Sequence, residues 1–157
     1  MELEQLSQIR AIEQLKYRYM RAVDTKDWDL LTGTLAPDVT AVYGKRLSFD
    51  NRDDLVATLS RAMTHSTTVH RLHHPEIVLD GTGAGDRATG TWLLTDLVIR
   101  KQANSVIEGA AHYSDDYRRE PDGGWVIART GYERLYESET SLDDLPSFTL
   151  HSDRFAG

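Results

Sequence analysis

His70, in TTVHRLHHPEIVL, is the strongest candidate for acid–base chemistry in this chain. Imidazole titrates near neutrality, so a ring that faces a cavity can take a proton from a substrate and return it. Strand alternation puts His70 on the face of Leu72, opposite Val69 and Arg71. The competing reading is a ring that only hydrogen-bonds a neighbouring backbone group. Asp24, in RAVDTKDW, closes a helical pattern at the end where a carboxylate meets the negative pole of the helix dipole. Either solvent or a partner must compensate it. With His70 as that partner, Asp24 would fix the tautomer and balance the imidazolium formed on proton abstraction; a cap at a helix–helix turn is the alternative. Tyr19 lies on the apolar stripe of the same helix and needs a partner for its hydroxyl. Five residues correspond to about 140° of helix azimuth, so Tyr19 and Asp24 share a cavity only if the helix ends near Asp24. Arg129, in WVIARTGYERLY, alternates in phase with Trp125 and Ile127. Among apolar neighbours it requires a carboxylate, with Asp115 or Asp116 the structural candidates, or an anion that a substrate supplies. Tyr43, Trp92 and His112 are further candidates for the cavity wall, although aromatic residues on strands also serve as core.

These side chains need elements to hold them. Ile9, Ile12, Leu15, Tyr19 and Val23 recur at helical steps and predict a helix over about 2–23. Asp27 to Leu35 predicts a second, short helix that Pro37 stops, and Val39 to Tyr43 a short strand. Asp50 or Asn51 caps a third helix carrying Leu55, Leu59 and Met63. Four long segments rich in Val, Ile, Thr, Tyr and Trp follow, over about 67–80, 86–101, 105–119 and 125–137, joined by DGTGAG, KQAN and EPDGG. Helices first and a meander afterwards describe an α+β fold, with three N-terminal helices packed on a strongly curved, mostly antiparallel sheet. The barrel domain is expected over 1–138 and a tail over 139–157, whose Leu145, Phe148 and Leu150 are placed to fold back over a pocket mouth. ATGTWLLTDLVIR is apolar on both alternating faces, which predicts a second cover and so a homodimer or homotrimer.

Composition narrows the function. The 157 residues make one domain. Eighteen Lys and Arg against twenty-five Asp and Glu give a net charge of −7, with no basic run, so neither nucleic acid nor a membrane surface is expected as a partner. The absence of cysteine excludes disulfides, thiolate metal sites and cysteine nucleophiles. His73 and His74 point to opposite strand faces and find no third ligand, so no metal is expected. GTGAGDRATG joins two strands and opens no helix, which makes it a hairpin and not a phosphate cradle. The start of the chain lacks a secretion pattern, and a cytoplasmic location is the expectation.

The segments YRYMRAVDTKDWDLLTGTLAPDV, TTVHRLHHPEIVLDG and AAHYSDDYRREPDGGWVIAR together resemble the SnoaL-like branch of the nuclear transport factor 2-like superfamily. Within it the chain looks most like the group containing scytalone dehydratase, a hexachlorocyclohexane dehydrochlorinase and bile acid 7-alpha-dehydratase. The resemblance implies a cone-shaped α+β barrel around an apolar pocket, without cofactor. It also implies catalytic roles for Asp24, His70, Arg129 and Tyr19, while His112 stands where relatives often carry arginine. The implied activity is that of a lyase, isomerase or polyketide cyclase on a hydrophobic small molecule, cyclic ones included. A non-catalytic binding protein and a scaffold subunit of a larger enzyme are the competing classes.

Overall fold

Glu2 and Gln5 satisfy each other's backbone amides in a capping box and start helix α1 (Leu3–Thr25). Its apolar stripe is buried at Ile12, Leu15, Tyr19, Met20 and Val23, and the helix stops where Lys26 adopts the left-handed conformation at φ 59°. Asp27 then caps α2 (Trp28–Thr34) by accepting from the Leu30 amide at 3.0 Å. Helix α3 (Arg52–Met63) is capped by Asn51 and buries Leu55 and Leu59. This is a computed structural model that describes residues 2–81 and 85–155; part of the expected GTGAG hairpin, residues 82–84, lies outside them.

The strands are β1 (Leu35–Tyr43), β2 (Leu47–Phe49), β3 (Thr67–Leu79), β4 (Arg87–Arg100), β5 (Ser105–Arg119) and β6 (Trp125–Ser141). They form one sheet in the order β2-β1-β6-β5-β4-β3, antiparallel throughout except where β1 runs parallel to β6. Three helices on a mixed, mostly antiparallel sheet match the expected class. The core joins the inner stripe of α1 to Trp92, Leu94, Ala111, Tyr113, Tyr117 and Ile127 on the inner sheet face.

Several boundaries differ from the sequence reading. β1 begins at Leu35 and carries Pro37 inside it, in a stretch where the pairing with β6 shifts register between Leu35 and Thr40, so the missing amide breaks no regular ladder. β2, three residues long, gave no sequence signal. β6 continues to Ser141 before the short helix Leu142–Asp144, so the sheet extends past residue 138. Leu145 and Phe148 border a surface groove together with Leu97, Ile99 and Val106 on the outer sheet face and do not border the internal cavity, so they do not close its mouth. No helix among the described residues is long and apolar enough to cross a membrane.

Candidate active site

Asp24 and His70 meet. The Asp24 carboxylate lies 2.6 Å from His70 Nδ1 and accepts the His70 backbone amide at 2.9 Å and the Thr68 hydroxyl at 2.9 Å. Three donors offset the negative pole of α1, which is the compensation its position requires. An ionised carboxylate only accepts, so a neutral ring in this contact bears its proton on Nδ1 and leaves the lone pair on Nε2. The side chains are 10% exposed for His70 and 21% for Asp24. His70 borders an internal cavity on one side and, with Asp24 and Arg21, an open surface groove on the other. Asp24 therefore stands behind the imidazole, and the 140° separation from Tyr19 is no obstacle, because only Tyr19 faces the cavity.

The cavity, about 110 Å³, lies between α1, α3 and the inner sheet face. Its apolar wall includes Met20, Val23, Leu59, Met63, Leu94 and Val98. Its polar groups cluster. The hydroxyls of Tyr19 and Tyr43 are hydrogen-bonded to each other, Tyr132 stacks on Tyr43 at 5.5 Å, and Tyr113 lies 5.2 Å from Tyr132. Burial pushes the phenols of Tyr19, Tyr43 and Tyr113 well up, which keeps them neutral donors at any physiological pH; the bond to Tyr43 offsets part of the effect at Tyr19.

Arg134 completes the polar group. It grips Asp96 through two bonds of 2.6 and 3.0 Å, and the carboxylate raises its pKa further. The guanidinium reaches Asp96 across Gly109, where a Cβ would stand 2.6 Å from Arg134 Nη1. Its Nε is buried and makes no hydrogen bond among the described residues, with Glu137 at 3.1 Å in ion-pair contact only. A fully buried ion pair lies beneath the phenols. Lys16 Nζ is 2.7 Å from Asp115 and sits on the Tyr113 ring face at 3.9 Å, while Asp115 also accepts from Tyr117 at 2.7 Å and Thr130 at 2.6 Å. Burial lowers the Lys16 pKa, and the carboxylate opposes that shift.

Of the residues singled out from sequence, His70, Asp24, Tyr19 and Tyr43 come together. Trp92 is core: it is 1% exposed and donates its indole N–H to Tyr117 at 3.0 Å. His112 and Arg129 are on the outer face. Arg129 binds Asp116 through bonds of 2.7 and 2.8 Å, the second of its two sequence-level candidates, and both side chains are nearly half exposed. The cause is a bulge. Ile127 pairs with Tyr117 and Arg129 with Asp116, so Ala128 is an extra residue that reverses the alternation after Ile127. Thr130, Tyr132 and Arg134 consequently turn inward. His112 faces outward because it alternates with the buried Ala111 and Tyr113. A second bulge between His73 and Glu76, with His74 at φ 48°, falls after His70 and leaves its orientation unchanged.

Asp96, Arg134, Tyr113 and Tyr132 were not anticipated as site residues. Asp96 did leave a signal, since it is an acid in phase with buried Trp92 and Leu94, a position that demands a cation. Arg134 left none without knowledge of the bulge. Among the described residues no group of three or more His, Asp or Glu is placed to hold a metal ion.

The fold and this pocket define a class. A family model for the SnoaL-like domain matches residues 4–131, and the chain belongs to that family. Solved structures with the NTF2-like fold superpose on most of it. A scytalone dehydratase-like protein from Novosphingobium aromaticivorans DSM 12444 is 18% identical, with 88% of this chain and 91% of that one covered at a TM-score of 0.78. The hexachlorocyclohexane dehydrochlorinase LinA-type3 from Novosphingobium barchaimii LL02 is 20% identical, with 89% and 94% covered at 0.76. An NTF2-like protein with a cystatin-like fold from Novosphingobium aromaticivorans is 19% identical, with 83% of each chain covered at 0.69. At these identities the likeness is one of fold.

Proposed function

We propose that the protein is a cofactor-independent lyase or isomerase that removes a proton from carbon in a small, hydrophobic, uncharged molecule. The observation that carries this reading is the 2.6 Å contact between Asp24 and His70 Nδ1, made by a ring whose other side borders an apolar cavity. A carrier or a scaffold has no use for a base held in one tautomer. His70 Nε2 takes the proton from a carbon beside an electron-withdrawing group, and Asp24 balances the imidazolium. The C–H electron pair becomes a double bond, and charge develops on an oxygen held by the Tyr19–Tyr43 pair and Arg134. Expulsion of a β-leaving group, protonated by the imidazolium, completes an elimination; return of the proton to another carbon completes an isomerisation. The dehydratase and dehydrochlorinase named among the similar structures are consistent with elimination.

The cavity narrows the substrate. Arg134 is neutralised by Asp96, so nothing there demands an anion. The space is smaller than the roughly 150 Å³ that accepts benzene, so a ring compound binds here only as side chains at the open end of the cavity move aside. The test uses 5-nitro-1,2-benzisoxazole, a small apolar probe whose ring opens when a base removes one C–H proton and the N–O bond breaks to give a coloured phenolate. Saturable turnover is expected, falling by about 10²–10⁴ in His70→Ala while thermal stability is retained. Equal turnover in His70→Ala and the parent protein refutes a base role for His70.

A further inference from the structure

Asp24 Oδ1 receives two hydrogen bonds, one from His70 Nδ1 and one from the Thr68 hydroxyl. A hydroxyl is normally free to choose. It has one proton and two lone pairs, and rotation about its C–O bond lets it donate in several directions. Here the choice is removed. Lys26 Nζ lies 3.0 Å from Thr68 Oγ1, and an ammonium has only protons to offer. The Thr68 oxygen must accept from Lys26, and its own proton is left for Asp24.

Lys26 is in turn held from three sides. Its left-handed backbone, at φ 59°, folds the side chain back on the end of α1, where Nζ also donates to the Val23 carbonyl at 3.2 Å. The Phe155 ring lies 5.1 Å from the ammonium. The segment carrying Phe155 is fixed beside Thr68, because Asp153 accepts from both the Thr67 hydroxyl and the Phe155 amide. Thr68 is 3% exposed, so water has little access to take over any of these bonds.

We propose that Lys26 and Thr68 are positioning residues for the His70–Asp24 pair: Lys26 directs the Thr68 proton onto Asp24 Oδ1, which holds the carboxylate in place against His70 Nδ1–H and so leaves Nε2 as the free base. This rests on the dyad reading above and adds a device to it. Neither residue borders the cavity, so neither is catalytic in the sense of touching substrate.

The experiment is ¹⁵N NMR of the His70 ring in the full-length protein above the imidazole titration, where a protonated ring nitrogen and one bearing a lone pair resonate far apart. The parent protein should show a single species with the proton on Nδ1. Asp24→Asn, the control for the dyad, should lose that signature. With the carboxylate freed to swing away from Nδ1, Thr68→Val and Lys26→Met, each checked for folding by circular dichroism, should give mixed tautomers, whereas Thr68→Ser should restore the single species. Benzisoxazole turnover should fall about threefold to tenfold in Lys26→Met with the Michaelis constant unchanged. Should Asp24→Asn leave the ring as it is in the parent, the dyad reading fails and this inference with it. Should Asp24→Asn alter the ring while folded Lys26→Met and Thr68→Val keep the parent signature, only the relay is overturned. If Thr68→Val does not fold, Lys26→Met decides by itself.

Discussion

Replacing Lys16 with Met removes one charge from a place that no water reaches. Both partners of the Lys16–Asp115 pair have side chains with 0% exposure, and their separation is 2.7 Å. Breaking a buried pair by deleting one member costs about 3–5 kcal/mol, because the remaining charge is stranded. Asp115 would keep its bonds from Tyr117 and Thr130, which places the loss near the lower figure, about 3 kcal/mol. For a chain of this length that lowers Tm by about 6–12 °C. Urea denaturation followed by far-ultraviolet circular dichroism reads the same quantity as a lower midpoint with an unchanged slope. The double variant Lys16→Met, Asp115→Leu removes both charges and should recover at least half of the loss, since an apolar pair of similar volume is about as stable as a buried ion pair. A single-variant loss below about 1 kcal/mol, the range of exposed pairs, would show that the site is wetter than its geometry says. A double variant as unstable as the sum of the two single ones would show that the charges do not act as a pair.

Arg129→Ala should change stability by less than about 1 kcal/mol and leave benzisoxazole turnover at the parent level, because its bond to Asp116 is nearly half exposed and on the outer face; a loss of turnover comparable to that of His70→Ala would return Arg129 to the site. Gly109→Ala places a methyl group 2.6 Å from Arg134 Nη1 and 2.9 Å from the Tyr136 carbonyl oxygen, so it should cost about 1–3 kcal/mol and release Arg134 from Asp96. A crystal structure of that variant with the Arg134–Asp96 bonds intact would contradict this. The Asp153 carboxyl is held below its ordinary value of 3.8 by the Thr67 hydroxyl, the Phe155 amide and Lys101. Its folded pKa is depressed, so its contribution is complete above pH 3.8 and disappears as pH falls through the lower folded value. Amide exchange at Phe155 should therefore stay slow, relative to its intrinsic rate, at pH 5 and rise only below about pH 3.8; release of the segment at pH 5 to 6 would contradict that assignment.

Asp24 and His70 could each be picked out from local pattern, whereas their pairing across 46 residues stood beside a helix cap and a backbone-bonded ring as open alternatives. Asp24 ends a 3.6-residue stripe, His70 enters a strand with a clear alternation, and the bulge at His74 comes too late to disturb it. Arg129 was misplaced by the same kind of reasoning. A two-residue period carries no mark of where an extra residue has been inserted, and Ala128, small and unremarkable, gives the eye nothing to stop at. One bulge exchanged Arg129 for Arg134 as the cavity's cation and brought Tyr132 in with it. Leu145 and Phe148, expected over a pocket mouth, border a groove on the outer sheet face instead, because β6 runs on to Ser141 before they begin.

What the sequence by itself determined was the three helices, the long strands, their order, and two candidate side chains, Asp24 and His70, that the structure brings into contact. Periodicity and capping act between near neighbours, and those are fully written in the chain. The tertiary structure decided which arginine faces inward, that Asp96 and Gly109 let it stay there, that Lys16 finds Asp115, and that Lys26 reaches Thr68. Each of these is a contact between segments far apart in the chain. Such contacts follow from strand register and bulge placement, which are settled by the packing of the whole sheet and not by any single stretch of it.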